Sequence, residues 1–134
     1  MESVQRRQLI KHWKEGSRVS LQLAHDVFAK RYYDHALFCG HLALEKLLKA
    51  LVVKAINDHA PHSHDLLYLA GLARIDLDVA QQQQLTAMNA FNVEGRYHEE
   101  KLEFHRRVTK AFAREWLMKI TKLHVWLSKH LEKN

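Results

Sequence analysis

Residues 32–57 carry apolar side chains on nearly every face of a run that favours a helix. These side chains form two neighbouring stripes at helical spacing. One stripe holds Leu37, Leu44, Leu48, Leu51 and Ala55, and the other holds Ala36, Cys39, Ala43, Leu47 and Ala50. A surface helix would keep a charged half, so two apolar stripes predict a helix with neighbours on two sides, in the middle of a helical bundle.

The remaining helices are predicted from weaker periodicity and from residues that begin or end helices. Their approximate bounds are residues 4–29, 65–73, 78–90 and 108–130. Asp34 and Ser63 are expected to cap the second and third helices, and Asp78 with Gln81 has the pattern of a capping box. Residues 91–105 are the least periodic stretch and are predicted to be mostly loop, where functional residues often lie.

Composition favours one all-α domain. The 134 residues are enough for a sizeable core and show no linker, so a single domain over residues 1–134 is expected. One proline and four glycines are too few for a chain rich in turns and strands. The only cysteine, Cys39, has no partner for an internal disulfide and is expected to be a small buried side chain in a reducing cytoplasm. No run approaches the roughly 18 uncharged residues of a membrane span, so a cytoplasmic protein without membrane association is expected.

The charge balance is basic. Lys and Arg number 21 against 15 Asp and Glu, which gives a formal charge of +6. Such a surface favours RNA, nucleotides or an acidic protein partner. The basic residues are interleaved with acids, however, so a solvated helical surface explains the pattern at least as well.

Few residues form a known chemical motif. Three histidines lie close together at His59, His62 and His64, but no cysteine or HExxH pair accompanies them, so no metal site is expected. The glycine-rich loops of nucleotide-binding proteins and the serine-hydrolase motif are absent, and no cofactor is expected. Glu45 and Lys49 have the spacing of a favourable helical pair, which we interpret as structural.

One stretch, Gly95-Arg96-Tyr97-His98, does not look like ordinary packing. An arginine, a phenol and an imidazole on a loop can bind a phosphate, stack on a base and exchange a proton. The alternative is a turn in which Arg96 pairs with Glu99 or Glu100 and Tyr97 packs on the bundle.

Three segments in order resemble the HEPN family, a small helical domain found beside minimal nucleotidyltransferases. YYDHALFCGHLALEKLLKALVVKA is similar to the family's long second helix, PHSHDLLYLA to its P-x-T-H-D-L-L segment, and FNVEGRYH to its late element ending in R-Y-P. The resemblance covers residues 32–127. It implies a four- to five-helix up-and-down bundle, usually a homodimer, tied to RNA cleavage, nucleotide binding or toxin–antitoxin pairing.

The catalytic members of that family carry an arginine, four to six residues, and then a histidine. Here the histidines after Arg96 are His98, which is too near, and His105, which is too far. Two pairs with the family spacing lie in the first predicted helix, where the family does not place the motif: Arg7 with His12, and Arg18 with His25. Catalysis is therefore in doubt.

The resemblance carries over Arg96 and Tyr97, with His98 where proline is common, and His64 with Asp65 at the start of the third helix. We therefore expect a nucleotide- or RNA-binding module paired with a nucleotidyltransferase in a toxin–antitoxin-like system. One alternative is a metal-independent endoribonuclease in which His98 or His105 activates a 2′-hydroxyl while Arg96 stabilises the phosphorane. Another is a purely structural module for dimerisation or docking.

Overall fold

The computed structural model describes residues 1–94 and 96–133. Within those residues all regular structure is helical, so the prediction of an all-α bundle is confirmed. The α-helices are α1 (Ser3–Ala29), α2 (Tyr33–Ile56), α3 (Leu66–Leu72), α4 (Val79–Met88), α5 (His98–Arg107) and α6 (Lys110–Glu132), with a 3₁₀ turn at Asn89–Phe91 after α4. None of these helices is long and apolar enough to cross a membrane.

Helix α2 forms the centre of the bundle, as its two apolar stripes predict. It packs most extensively against α1 and α6, and it also contacts α3 and the 3₁₀ turn. Phe28 near the end of α1 contacts Tyr33 at the start of α2, and Arg6 near the start of α1 bonds Lys54 near the end of α2. Helices α1 and α2 therefore run in opposite directions. Gly40 in α2 lies against Ile120 in α6, and Lys54 further along α2 reaches the end of α6. Helices α2 and α6 therefore run in the same direction.

Glycine at position 40 lets α2 and α6 approach closely. A β-carbon placed there would lie 2.7 Å from Cδ1 of Ile120, which is too short for a carbon contact. Gly16 in α1 has a different neighbour, because a β-carbon there would meet Cδ of Lys46 at 3.2 Å. The Lys46 side chain thus crosses α1 at Gly16, and its Nζ donates to Oγ of Ser20 at 2.9 Å.

Helix α1 is joined to both neighbours by the hydroxyl of Ser17. This Oγ donates to the carbonyl of Ala43 in α2 at 2.6 Å and accepts from Nε2 of His124 in α6 at 2.8 Å. Burial lowers the pKa of His124, which favours the neutral imidazole. Because the hydroxyl proton of Ser17 is used on a carbonyl, His124 cannot remove it, and the pair is a structural bridge rather than a nucleophile with its base.

Two basic side chains join the helix ends at one end of the bundle. The Lys54 ammonium donates to the carbonyls of His130 at 2.9 Å and Leu131 at 3.1 Å, and also to that of Lys133. The carbonyl of Lys54 itself accepts from Nη2 of Arg6 in α1 at 2.7 Å. These bonds satisfy carbonyls that the ends of α2 and α6 leave open.

The prediction that residues 91–105 are mostly loop is wrong, because α5 occupies much of that range. Only Phe104 of α5 is buried, so the helix has almost no apolar periodicity. Its sequence signals are electrostatic. Glu99 and Glu100 lie in the first turn, and basic residues lie in the last, as the helix dipole favours.

Two of the three predicted helix caps are wrong. Tyr32 is the N-cap residue of α2 and makes no side-chain cap, while Asp34 lies inside the first turn. Asp65, not Ser63, caps α3, and its carboxylate accepts from the amides of the second and third helical residues. The capping box of Asp78 and Gln81 at α4 is confirmed.

Candidate functional site

The start of α5 presents three side chains singled out by the sequence. Tyr97 is the N-cap residue of α5 and is 77% exposed, so it does not pack on the bundle. Among the described residues, Arg96 makes no ion pair with Glu99 or Glu100 and no side-chain hydrogen bond. His98 is exposed in the first turn. The interpretation of this stretch as a self-paired turn is therefore not supported, since neither of its contacts forms.

A cleft of about 390 Å³ lies between the start of α2 and the inner face of α5. Asp34, His35 and Phe38 line it from α2, and Lys101 and Phe104 line it from α5. Val93 and Glu94 complete the lining, so the cleft combines apolar side chains with two carboxylates and one ammonium group.

His105 lies at the α2 side of α5 and is oriented by Asp34. Its Nδ1 donates to Oδ2 of Asp34 at 2.8 Å, and Nδ1 of His35 lies 3.2 Å from the other oxygen. Burial raises the pKa of Asp34, but hydrogen bonds from His105 and His35 outweigh burial and hold that pKa below its usual value. His98 lies seven positions earlier, about two turns back on the same face of α5.

A second polar cluster lies where α2 meets the start of α3. Glu45 is buried, with 6% of its side chain exposed, and its Oε2 lies 3.2 Å from Nζ of the equally buried Lys49. Its other oxygen accepts from Nδ1 of His64 at 2.8 Å. The ring of His64 is 67% exposed, so the neutral form presents Nε2 to solvent as a base while a carboxylate fixes the ring.

His41 completes this cluster from within α2. Its Nε2 donates to the carbonyl of His64 at 3.1 Å, which holds the loop before α3 against α2. Burial lowers the pKa of His41, so the ring is neutral, and Nδ1 then faces Oε1 of Glu45 at 3.9 Å without a bonding proton. His41 is therefore a structural member of the cluster, whereas His64 is the member that faces solvent.

One oxygen of the Asp65 carboxylate is bonded within the chain. Besides capping α3, its Oδ1 accepts from Nδ2 of Asn89 at 3.0 Å, and Oδ1 of Asn89 accepts from the amide of Leu66. The side chain is exposed and held in place by these bonds, and its role in ligand binding stays a prediction.

The predicted ligand-binding residues form two groups. His64 and Asp65 lie at the start of α3, while Arg96, Tyr97 and His98 lie at the start of α5. No hydrogen bond or ion pair between the described residues joins the groups directly. They are linked through the 3₁₀ turn, since Asn89 bonds Asp65 and Phe91 packs on Phe104 with ring centres 6.0 Å apart. In the same described ranges, no set of three or more His, Cys, Asp or Glu side chains is arranged to hold a metal ion.

A family model of the HEPN domain matches residues 10–131, nearly the whole chain. The chain belongs to the HEPN family. Membership supports a nucleotide- or RNA-related module. No curated protein matches the sequence.

Two solved structures have the same fold as this HEPN chain. The crystal structure of TT1696 from Thermus thermophilus has a TM-score of 0.75 at 20% identity, covering 90% of this chain and 96% of that one. The crystal structure of ST0689, an archaeal HEPN homologue, has a TM-score of 0.68 at 16% identity, covering 91% and 97%. At such identities the likeness shows the fold alone.

Sequence reasoning missed the role of Glu45. The spacing to Lys49 indicated a structural helical pair, but it did not show that both side chains are buried or that Glu45 also bonds His64. One signal was available, because the pair falls within a run that is apolar on nearly every face. A charged pair in such a run has to be buried and bonded.

Proposed function

We propose that this HEPN domain is a nucleotide- or RNA-binding module whose ligand lies at the start of α5. The observation that carries the proposal is that, among the described residues, the half-buried Arg96 makes no side-chain hydrogen bond or ion pair and Tyr97 is largely exposed. Arg96 binds a phosphate, and Tyr97 stacks on a base. In this proposal His98 and His64 line the surface beside Arg96 and Tyr97.

Local electrostatics at α5 support a phosphate contact of moderate strength. The first-turn amides of the helix have no side-chain cap, and such amides favour an anion. Glu99 and Glu100 lie in the same turn and oppose a phosphate. Arg96 is therefore required, because the helix end alone does not outweigh two carboxylates.

The proposed module works as a homodimer with a nucleotidyltransferase partner in a toxin–antitoxin-like system. The net charge of +6 suits RNA or an acidic partner surface. Val19 and Leu23 are half-exposed and lie one turn apart on α1, which offers a small apolar patch for self-association. Sedimentation of the purified protein alone and with a nucleotidyltransferase tests both associations.

Binding is tested by the fluorescence anisotropy of a labelled single-stranded RNA and a labelled mononucleotide. Arg96→Ala and Tyr97→Ala should each weaken binding, by about 1–3 kcal/mol for the loss of one stacked aromatic ring. Arg7→Ala removes the same charge from α1 and serves as the matched control. If Arg96→Ala binds as the wild type does, the ligand does not lie at α5. If the wild-type protein binds neither RNA nor the mononucleotide but still binds a protein partner, the domain is a purely structural module for dimerisation or docking.

A second candidate, a metal-independent endoribonuclease, is favoured by the Asp34–His105 hydrogen bond. Because Nδ1 of His105 donates to Asp34, Nε2 of the neutral ring is the basic nitrogen. Nε2 would take the proton of a 2′-hydroxyl as its oxygen attacks the adjacent phosphorus. The 5′-oxygen would leave with a proton from a second acid, for which His98 is the candidate, while Arg96 stabilises the phosphorane.

The nuclease is tested with end-labelled single-stranded and hairpin RNA in the absence of metal. Cleavage by the wild type that is lost in His105→Gln and Arg96→Ala would establish it. No cleavage by the wild type would leave the binding module, whose own test above does not depend on catalysis.

A further inference from the structure

An apolar groove of about 520 Å³ runs between α1 and α6, away from the start of α5. Its floor is made by Phe28 from α1 and by Leu117, Met118 and Val125 from α6. Met118 is 55% exposed and Val125 is 53% exposed, so the groove leaves large apolar side chains in water. Adjacent exposed apolar groups of this kind mark interaction sites more often than chance.

Cations alternate with apolar side chains along the α6 edge of this groove. The order is Arg114, Met118, Lys122 and Val125, at spacings of three or four residues. These positions share one side of the helix and span about 16 Å of its length. Neither Arg114 nor Lys122 pairs with an acid elsewhere in the described chain, and none of the residues lining the groove carries a carboxylate.

The α1 edge of the groove is fixed to α6 by one hydrogen bond, between His25 and Thr121. Thr121 donates its hydroxyl proton to the carbonyl of Leu117 at 2.7 Å, so Nε2 of His25 donates to Oγ1 of Thr121 at 3.1 Å. The floor of the groove is therefore preformed, which lowers the entropy cost of docking.

We propose that this α1–α6 groove docks an amphipathic helix of a partner protein, with apolar anchors at helical spacing and an acidic edge. Three turns of helix match the 16 Å span of about eleven residues. Met118 and Val125, two turns apart, match anchors at positions i and i+7 of a docked helix. Acidic side chains beside the anchors would face Arg114 and Lys122, which gives the complementary charge that sets specificity and the rate of encounter.

Other occupants fit the groove less well. A second copy related by two-fold symmetry would bring the same cationic edge against itself, with no acid in the groove to compensate. The groove is open along its length, whereas small-molecule sites enclose most of their ligand. For RNA the groove lacks an exposed aromatic platform, since Phe28 is only partly exposed.

The test uses two synthetic helical peptides with identical leucine anchors, one carrying glutamates beside the anchors and the other carrying lysines. Fluorescence anisotropy should show that the wild-type protein binds the glutamate peptide at least about tenfold more tightly than the lysine peptide. Added salt should reduce the difference, because exposed charges are screened. The double variant Arg114→Glu with Lys122→Glu should reverse the preference.

Met118→Asp tests the apolar floor and should abolish binding of the glutamate peptide. Val79→Asp, which changes an apolar side chain on α4 that is also more than half exposed, is the matched control and should bind as the wild type does. Met118 and Val79 are both exposed, so the midpoint temperature of thermal unfolding of each variant should be close to that of the wild type.

Equal binding of the two peptides, or binding of neither, would overturn the proposal. A wild-type dimer that Met118→Asp converts to a monomer would also overturn it, because the groove would then hold a second copy. These outcomes do not depend on whether RNA binds at α5.

Discussion

Glu45→Gln isolates the charge of the buried carboxylate while keeping its size. Glutamine can still accept a hydrogen bond from His64, so the loop before α3 keeps its contact with α2. The change leaves the Lys49 ammonium buried without a counter-charge. We expect it to destabilise the protein strongly, although both side chains are polar and the substitution is conservative.

The size of the effect follows from the burial and separation of the pair. At 3.2 Å and an effective dielectric constant of about 20, the gross attraction of Glu45 and Lys49 is about 5 kcal/mol. Removing one partner of a buried pair costs about 3–5 kcal/mol, since the remaining charge is uncompensated. Lys49 also lies 5.2 Å from the centre of the Trp13 ring, and this contact stabilises the ammonium by about 0.5–2 kcal/mol. We therefore expect a loss of about 3 kcal/mol in the free energy of unfolding.

Urea denaturation followed by circular dichroism measures this loss. The control is Glu115→Gln, which breaks a Glu–Lys pair of the same spacing on the exposed face of α6 and should cost at most about 1 kcal/mol. The double variant Glu45→Gln with Lys49→Met removes both charges and should be more stable than Glu45→Gln alone. A cost for Glu45→Gln no larger than that for Glu115→Gln, or additive effects of Glu45→Gln and Lys49→Met, would refute a strong interaction within the buried pair.

Three further predictions concern packing and acid stability. Gly40→Ala should lower the free energy of unfolding, because a clash with Ile120 costs about 1–3 kcal/mol and exceeds the helix propensity gained. Gly71→Ala, where a β-carbon meets nothing within 4 Å, should raise the free energy of unfolding by about 0.5–1 kcal/mol, as measured by urea denaturation. Equal effects of alanine at positions 40 and 71 would contradict the close approach of α2 and α6. Because hydrogen bonding to His105 helps lower the pKa of Asp34, this carboxylate stabilises the fold above its unfolded pKa of about 3.9 and stops doing so as pH falls through its lower folded pKa. The midpoint temperature of thermal unfolding should therefore fall less steeply between pH 6 and pH 3 in Asp34→Asn than in the wild type. Identical slopes would argue against the hydrogen bond between Asp34 and His105.

The sequence predicted those parts of the fold where apolar side chains set the structure. The two stripes of α2 identified the central helix to within a residue at each end. Cys39, a member of one stripe, is buried, and burial raises the pKa of its thiol. The capping box of α4 was predictable because its two partners, Asp78 and Gln81, are close in sequence.

Predictions failed where distant contacts decide the structure. Asp34 lies inside the first turn of α2 rather than at its cap, and its carboxylate bonds His105, which lies 71 positions away. The contact of Glu45 with His64 likewise depends on how the loop before α3 folds back on α2. Helix α5 was not predicted because it buries only one side chain and therefore has no apolar pattern. Its remaining sequence signals are the acidic residues in its first turn and the basic residues in its last turn.

The bonds of Lys54 and Arg6 make three helix ends fray together rather than one at a time. Opening the last turn of α6 exposes the Lys54 ammonium, and opening the last turn of α2 also releases Arg6 of α1. The amide hydrogens at this end should therefore exchange with solvent in one shared opening event. A chain cut before His130 would loosen the ends of all three helices, not only that of α6.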